Sequence, residues 1–313
     1  MKDTEEWCLF ILALDEGVVQ AFSQTPHTKV IPLSDLTSYF PELHAARSNR
    51  NYVEFIFTLS PYLPLYILEH YSHVDRITTM DADLYFLASP AAVLSSLGKS
   101  GIGITPHHFS ESFAYLEKFG KFNVSFQSFP ATETGLNCLR QWAADCLNSC
   151  KDDKGSEVYA DQKYLDKWPA QYPEVTVFSG GIVGLAPWNL SHLAHKITPQ
   201  FTIDNQPVVF YHFHDFRYRS ESTITVGLHK YHYALQHQPI RKLYKQYFRQ
   251  LDQLENRDKG LTRGKYAGKR LSQKLYTYLS EGPVLLHFAN KLFVFRSLGL
   301  YRLAYRLKKT LNG

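Results

Sequence analysis

Along the chain, short continuous apolar runs alternate with longer stretches in which apolar residues recur at helical spacing. "WCLFILAL" (7–14) is apolar throughout and closes on Asp15, which predicts a strand covered on both faces. "KVIPL" (29–33) predicts a second, shorter strand. Residues 51–71 have helical spacing, with Pro61 and Pro64 marking a break or the first turn of a second helix. "DRITTM" (75–80) reads as a strand. "SPAAVLSSLG" (89–98) reads as a helix with Ser89 at the N-cap, Pro90 in the first turn and Gly98 past the end. A strand at 101–105, a helical stretch near 111–121, an alternating strand at 123–129 and a long amphipathic helix over 133–150 follow. Beyond them, 159–168 is helical, and "VTVF" (175–178) and "PVVFYH" (207–212) are strands. Strands alternating with helices predict an α/β fold, a mostly parallel sheet flanked by helices.

From about residue 239 the pattern changes. "PIRKLYKQYFRQLDQLENR" (239–257) and "SQKLYTYLSEG" (272–282) are basic amphipathic helices by spacing, and 283–309 interleaves aromatics with Arg and Lys. Within that last stretch Leu285, Phe288, Leu292 and Phe295 recur at helical spacing. Two bodies are therefore expected: a sheet domain over 1–235 and a basic helical tail over 236–313.

Charge sharpens this division. Residues 239–313 hold 17 of the 34 Lys and Arg but 4 of the 29 Asp and Glu, a balance of +13; the rest carries 17 − 25 = −8, which gives the net +5. A basic amphipathic tail with an apolar face suits an anionic membrane surface, and no feature calls for nucleic acid. Hydrophobic residues at 44% and charged residues at 20% suffice for a buried core. The cysteines, Cys8, Cys138, Cys146 and Cys150, form no CxxC pair and read as free thiols of a reducing compartment. No signal-peptide pattern opens the chain and no apolar run approaches the ~20 residues that span a bilayer. The expected location is cytoplasmic, peripheral at the inner face of the membrane.

The candidate chemistry begins where the 75–80 strand leaves the core, at Asp81 and Asp83 in "ITTMDADLYF". Carboxylates are rarely buried unless paired or metal-bound. On an extended segment residues i and i+2 point the same way, so the two can converge on one cation. Oxygen donors suit hard divalent ions such as Mg²⁺ or Mn²⁺, and ligands of open α/β sheets bind beyond the carboxyl ends of strands. A solvated polar strand end is the plainer alternative.

With its neighbours the motif gains meaning. "ARSNRNYVEFIFTLSPYLPLYILEH", "VDRITTMDADLYF", "FNVSFQSF", "ADQKYLDKWP", "GLAPWNL" and "VVFYHFHDFR" occur in this order. Together they resemble bacterial glycosyltransferases of surface-polysaccharide loci, related to glycosyltransferase family eight and of the GT-A fold, over roughly residues 5–220. The resemblance implies a metal-dependent transfer of a sugar from a nucleotide-diphosphate donor to a glycan or lipid-linked acceptor, with retention of anomeric configuration. It implies a metal held by Asp81, Asp83 and His212, with His214 as the alternative imidazole. It places Asp161 on sugar hydroxyls, Gln162 near the anomeric carbon, Asn123 on the donor and Gly180 and Gly181 where backbone approaches the sugar. Asp81 also belongs to the donor site, and Arg47 and Arg50 are implied contacts to diphosphate or sugar. Ser125 stands where the family commonly has Gly. "EEWCLFILALDE" matches the family's second strand, so the resemblance implies either that this start is internal to a longer chain or that the protein lacks a first strand with contacts to the base. A non-catalytic remnant serving as a binding or scaffold protein is the first rival reading. A phosphatase of the haloacid-dehalogenase type is the second, disfavoured because Leu84 and Tyr85 follow the second aspartate.

Overall fold

The computed structural model describes residues 7–153, 155, 158–220, 223–233, 235, 237–257, 284–288 and 291–294. In chain order the strands are β1 (Leu9–Ala13), β2 (Thr28–Pro32), β3 (Arg76–Met80), β4 (Leu84–Phe86), β5 (Ile102–Pro106), β6 (Phe122–Pro130), β7 (Val175–Val177), β8 (Thr202–Ile203), β9 (Gln206–Pro207), β10 (Phe210–His212), β11 (Arg217–Ser220), β12 (Thr223–Thr225), β13 (Val284–Phe288) and β14 (Lys291–Val294). The helices are α1 (Glu16–Phe22), α2 (Leu33–Tyr39), α3 (Glu42–Asn49), α4 (Tyr52–Leu59), α5 (Tyr62–His70), α6 (Ala91–Ser95), α7 (Glu133–Asn148), α8 (Trp168–Gln171), α9 (Leu190–Leu193) and α10 (Gln238–Arg257). Short 3-10 helices add Glu111–Phe119 and Gln162–Lys167. The α/β reading holds, and the chain divides into two compact units.

The first unit takes residues up to Ala82, Ser89–His107 and Tyr115–Gly180. Its main sheet runs β3-β6-β5-β7. This sheet is mixed rather than mostly parallel: β6 is antiparallel to both β3 and β5, and only β5 and β7 run parallel. The β5–β6 connection carries a 3-10 helix instead of the crossover helix that a parallel pair needs. β1 and β2 form a separate parallel pair. The apolar β1 is not covered on both faces as expected, because Leu9 is exposed and only Ala13 is buried. Asp15 caps α1 by accepting from Val18 N at 3.1 Å. α4 opens on a capping box, with Asn51 and Glu54 each accepting from the other's backbone. Pro61 separates α4 from α5, as the two prolines predict. α6 begins at Ala91, with Ser89 Oγ accepting from Ala91 N at 3.2 Å. α7 is capped by Thr132 and buries Cys138, Leu139, Trp142 and Cys146 among Leu43, Ile102, Phe129 and Trp168. The free thiols Cys138, Cys146 and Cys150 are buried.

The second unit takes Asp83–Ala88, His108–Ala114 and the chain from Gly181 onward. β4 pairs antiparallel with β10, and β11 to β14 form an antiparallel sheet. α10 is the basic helix expected over 239–257, but it belongs to this unit's core. Ile240, Leu243, Tyr244, Tyr247 and Phe248 are buried with Leu185, Val208, Tyr211, Phe213 and Leu235. That cluster runs through the boundary expected at residue 235. The helix expected over 283–309 is replaced, where described, by the strands β13 and β14, paired from Leu285↔Val294 to Phe288↔Lys291. "VLLHF" and "KLFV" carry as much strand propensity as helical spacing, and pairing to β12 decides between them. The helix expected at 272–282 and the remainder of 295–313 lie outside the described residues. Among the described residues no helix is long and apolar enough to cross a membrane.

Candidate metal centre

The β4–β10 ladder sets the geometry. His212 lies opposite Leu84, and Phe213 N donates to Asp83 O at 2.9 Å, so the side chains of Asp83 and His212 meet at the strand ends. His212 Nε2 stands 3.0 Å from Asp83 Oδ1. The His212 side chain is 6% exposed, whereas that of Asp83 keeps 41% of its surface. Asp81 precedes Asp83 by two residues, and one ligand atom from each of Asp81, Asp83 and His212 falls within 4.8 Å of the others. Among the described residues this is the only group of three or more His, Cys, Asp or Glu brought so close. Two carboxylate oxygens and one imidazole nitrogen suit a divalent ion of the Mg²⁺ to Mn²⁺ range, the nitrogen leaning toward Mn²⁺. Burial alone would raise the Asp83 carboxyl, but the hydrogen bond and charge of His212 and the charge of His214 outweigh it and hold it below its usual range. An ionised carboxylate is the form that binds a cation.

His214, the alternative ligand, faces Asp215 instead, at 3.5 Å. Burial pushes its imidazole below the usual value, partly offset by Asp215. Asp215 also accepts from Lys230 Nζ at 2.6 Å and Arg217 Nη2 at 3.0 Å. This cationic cluster has no signature in the sequence, because Lys230 is 15 residues away. Trp188 stands edge-on to both histidines, at 5.2 Å from His212 and 5.4 Å from His214 between ring centroids. Gly181 holds φ +87°, and a Cβ there would meet Leu193 Cδ1 at 2.6 Å, so its lack of a side chain already serves local packing. Gly180 is half-buried.

In the first unit, Asp161 is 1% exposed. Its carboxylate accepts from Ser60 Oγ at 2.6 Å, and its carbonyl accepts from Trp142 Nε1 at 2.9 Å. Burial raises its carboxyl to about 7, with Ser60 opposing and the charge of Asp81 adding to the rise. Ser60 is a functional candidate that sequence reading missed, since before Pro61 it reads as a helix cap. Gln162 donates through Nε2 to Phe119 O at 2.9 Å. Asn123 is 4% exposed and accepts through Oδ1 from the backbone and hydroxyl of Ser125. Its Nδ2 has no hydrogen-bond partner among the described residues. Arg50 donates to Thr58 Oγ1 and to the carbonyls of Cys146 and Leu147, capping the C-terminal end of α7. Arg47 is exposed and borders, with Arg50, Asn51 and Tyr52, a cleft of about 260 Å³ floored by Leu14 and Leu33.

No family model matches the chain. Two relatives from Bacillus subtilis (strain 168) are similar to it, both called uncharacterized proteins. YfnD is 28% identical over 218 residues, 68% of this chain and 70% of its own. YfnF is 27% identical over 220 residues, 67% of this chain and 72% of its own. Among solved structures, a glycosyltransferase involved in the glycosylation of the major capsid of PBCV-1 aligns with 66% of this chain and 93% of its own. That alignment has a TM-score of 0.37 and 9% identity, below the level at which a shared fold follows.

Proposed function

We propose that the protein is a metal-dependent glycosyltransferase that moves a sugar from a nucleoside-diphosphate donor to a glycan or lipid-linked acceptor. The observation that carries this reading is the Asp81, Asp83 and His212 group at the end of β3 and β10, in a chain whose ordered motifs resemble such enzymes. Asp81, Asp83 and His212 would hold Mn²⁺ or Mg²⁺. When bound, such an ion stabilises the negative charge that develops on a departing nucleoside diphosphate.

The protein's own groups supply position. Asp83 is ionised at neutral pH and oriented by its contact with His212. Asn123 keeps a buried amide Nδ2 without a hydrogen-bond partner among the described residues, which would meet a hydroxyl or phosphate oxygen only through a change that opens it. Gln162 is tied through its amide nitrogen to Phe119 O, which fixes the direction of its carbonyl oxygen. Asp161, buried and bonded to Ser60, would reach a sugar hydroxyl only through a change that opens it. Arg47 is the guanidinium better placed for an anionic ligand, because Arg50 caps α7. Reaction by positioning and leaving-group stabilisation fits this set; retention of configuration is carried over from the resemblance alone.

Calorimetric titration with Mn²⁺ and nucleotide sugars tests the reading. The intact chain should bind a nucleotide sugar only with the ion present. Asp81→Asn and Asp83→Asn should each lower that affinity by tenfold or more with an unchanged thermal midpoint. Metal-independent binding, or no loss in either variant, removes the proposal.

A further inference from the structure

We propose that Trp188 is a positioning residue: held by the Gly184–Asn189 turn, it fixes the imidazole of His212 in the orientation a metal ligand needs. The inference rests on the metal-dependent reading above. It concerns the protein's own packing around that imidazole, which neither aspartate determines.

The turn is tightly specified. Asn189 is completely buried, accepts through Oδ1 from Ala186 N at 2.9 Å, and donates through Nδ2 to Gly184 O at 2.9 Å. Gly184 holds φ +96°, a conformation that side chains other than hydrogen resist. Pro187 occupies the first helical turn, where its fixed φ is already correct. The same turn is joined to the ligand strand: His212 N donates to Leu185 O at 2.8 Å, and Leu185 bridges Tyr211 in parallel. The backbone of His212 and the indole of Trp188 are therefore placed by one element.

Strand pairing fixes a backbone, but an imidazole still rotates about its terminal torsion, which is broad and shallow. Trp188 restricts that rotation. It is 4% exposed and meets the His212 ring at 5.2 Å and 83°, and the His214 ring at 5.4 Å and 68°. Edge-to-face contact is the preferred aromatic arrangement and loses energy when either ring turns. Tyr231 also meets the indole, at 6.2 Å between ring centroids and 67°. With the ring so held, Nε2 faces Asp83 Oδ1 at 3.0 Å. An edge-to-face contact that orients a ligand histidine corresponds to about 2–10-fold in metal affinity.

Mn²⁺ titration of the intact chain compares wild type with Trp188→Leu and Trp188→Phe. Trp188→Leu should weaken binding by about 2–10-fold, and Trp188→Phe, which keeps an aromatic edge, should restore most of it. In metal-free protein, the ¹⁵N shifts of the His212 ring should report one tautomer in wild type and a mixture in Trp188→Leu. If Trp188→Leu does not fold, Asn189→Asp, which loses the bond to Gly184 O, is read in its place and should weaken Mn²⁺ binding several-fold. Wild-type affinity in whichever variant is read overturns the inference. Absence of Mn²⁺ binding in wild type removes the functional reading instead; the tautomer comparison then decides this inference, an unchanged pattern overturning it.

Discussion

Asp161 shows how much one residue's setting differs from its place in the sequence. "ADQKYL" reads as a polar helix start, where an aspartate is solvated and favourable to the helix. In the fold it is buried, and its partner Ser60 lies 101 positions away, so nothing local could announce the pairing. By contrast, Asp81 and Asp83 were legible, because period-two spacing at a strand end is a local feature; His212 was named only through the resemblance, since its approach to Asp83 spans more than a hundred residues. The burial of Asp161 has a pH signature. Its carboxyl lies near 7 folded, against an ordinary 3.8. Between those values the unfolded chain has released its proton and the folded chain has not. The acid form therefore contributes fully below about pH 4, and stability is lost as pH rises through about 7. The gap corresponds to an upper bound of about 4 kcal/mol. Asp161→Asn, whose amide oxygen can still accept from Ser60, escapes the loss. Urea midpoints with chelator present should show the variant gaining on wild type by a few kcal/mol from pH 4 to pH 7. A difference that stays constant across that range would mean Asp161 ionises freely in the folded protein.

At the scale of elements, periodicity located β1–β3, β5–β7 and β10 and the helices α4–α7 and α10, left α1–α3, α9 and the shorter strands unread, and did not show what any element packs against. α7 and α10 were visible as amphipathic stretches; that the apolar face of α10 closes on β4 and β10 was not, since its partners precede it by tens to more than a hundred residues. β4 was missed because three residues, "LYF", give no alternation to read. The parallel sense was misjudged at β6 because a helical stretch precedes it without crossing over. The junction of α10 with β10 carries a buried hydroxyl pair, Tyr211 OH and Tyr244 OH at 2.9 Å, and burial pushes both phenols well above their ordinary value. Gln246 Nε2 adds a bond to Tyr85 OH at 3.0 Å, and Tyr247 stacks on Phe213 at 3.7 Å. Tyr244→Phe removes the hydrogen-bond partner of the Tyr211 hydroxyl and should cost about 1–3 kcal/mol. Adding Tyr211→Phe removes the remaining hydroxyl, so the double variant should recover most of the loss. Denaturant unfolding of the four proteins gives the coupling. Simple additivity would show that the two phenols do not depend on each other.

For the whole molecule, the charge distribution suggested a sheet body followed by a basic helical tail, and the packing of α10 draws the first helix of that stretch into the second unit's core. Residues 1–238 carry 17 − 25 = −8 and residues 239–313 carry +13, a segregation that is real in composition. Yet α10 directs its charges, such as Lys242 and Arg249, to solvent while burying Ile240, Leu243, Tyr244, Tyr247 and Phe248. Charge marks the surface of a helix and does not reveal what its other face covers. Each of those five side chains contributes about 1.5–3 kcal/mol on burial. Together they approach the whole stability of an ordinary domain, about 5–15 kcal/mol. A chain ending at His237 should therefore lose the second unit's packing: near-ultraviolet dichroism should fall, apolar dyes should bind, and proteolysis should cut beyond Gly181. The full chain carrying Lys242→Gln and Arg249→Gln alters the charge of the same helix without touching its buried face. Its unfolding free energy should stay within about 0.5 kcal/mol of wild type. If the truncated chain unfolds cooperatively at the wild-type midpoint, α10 is an appendage after all; if the charge variant collapses with it, the helix is held by those charges and not by its apolar face.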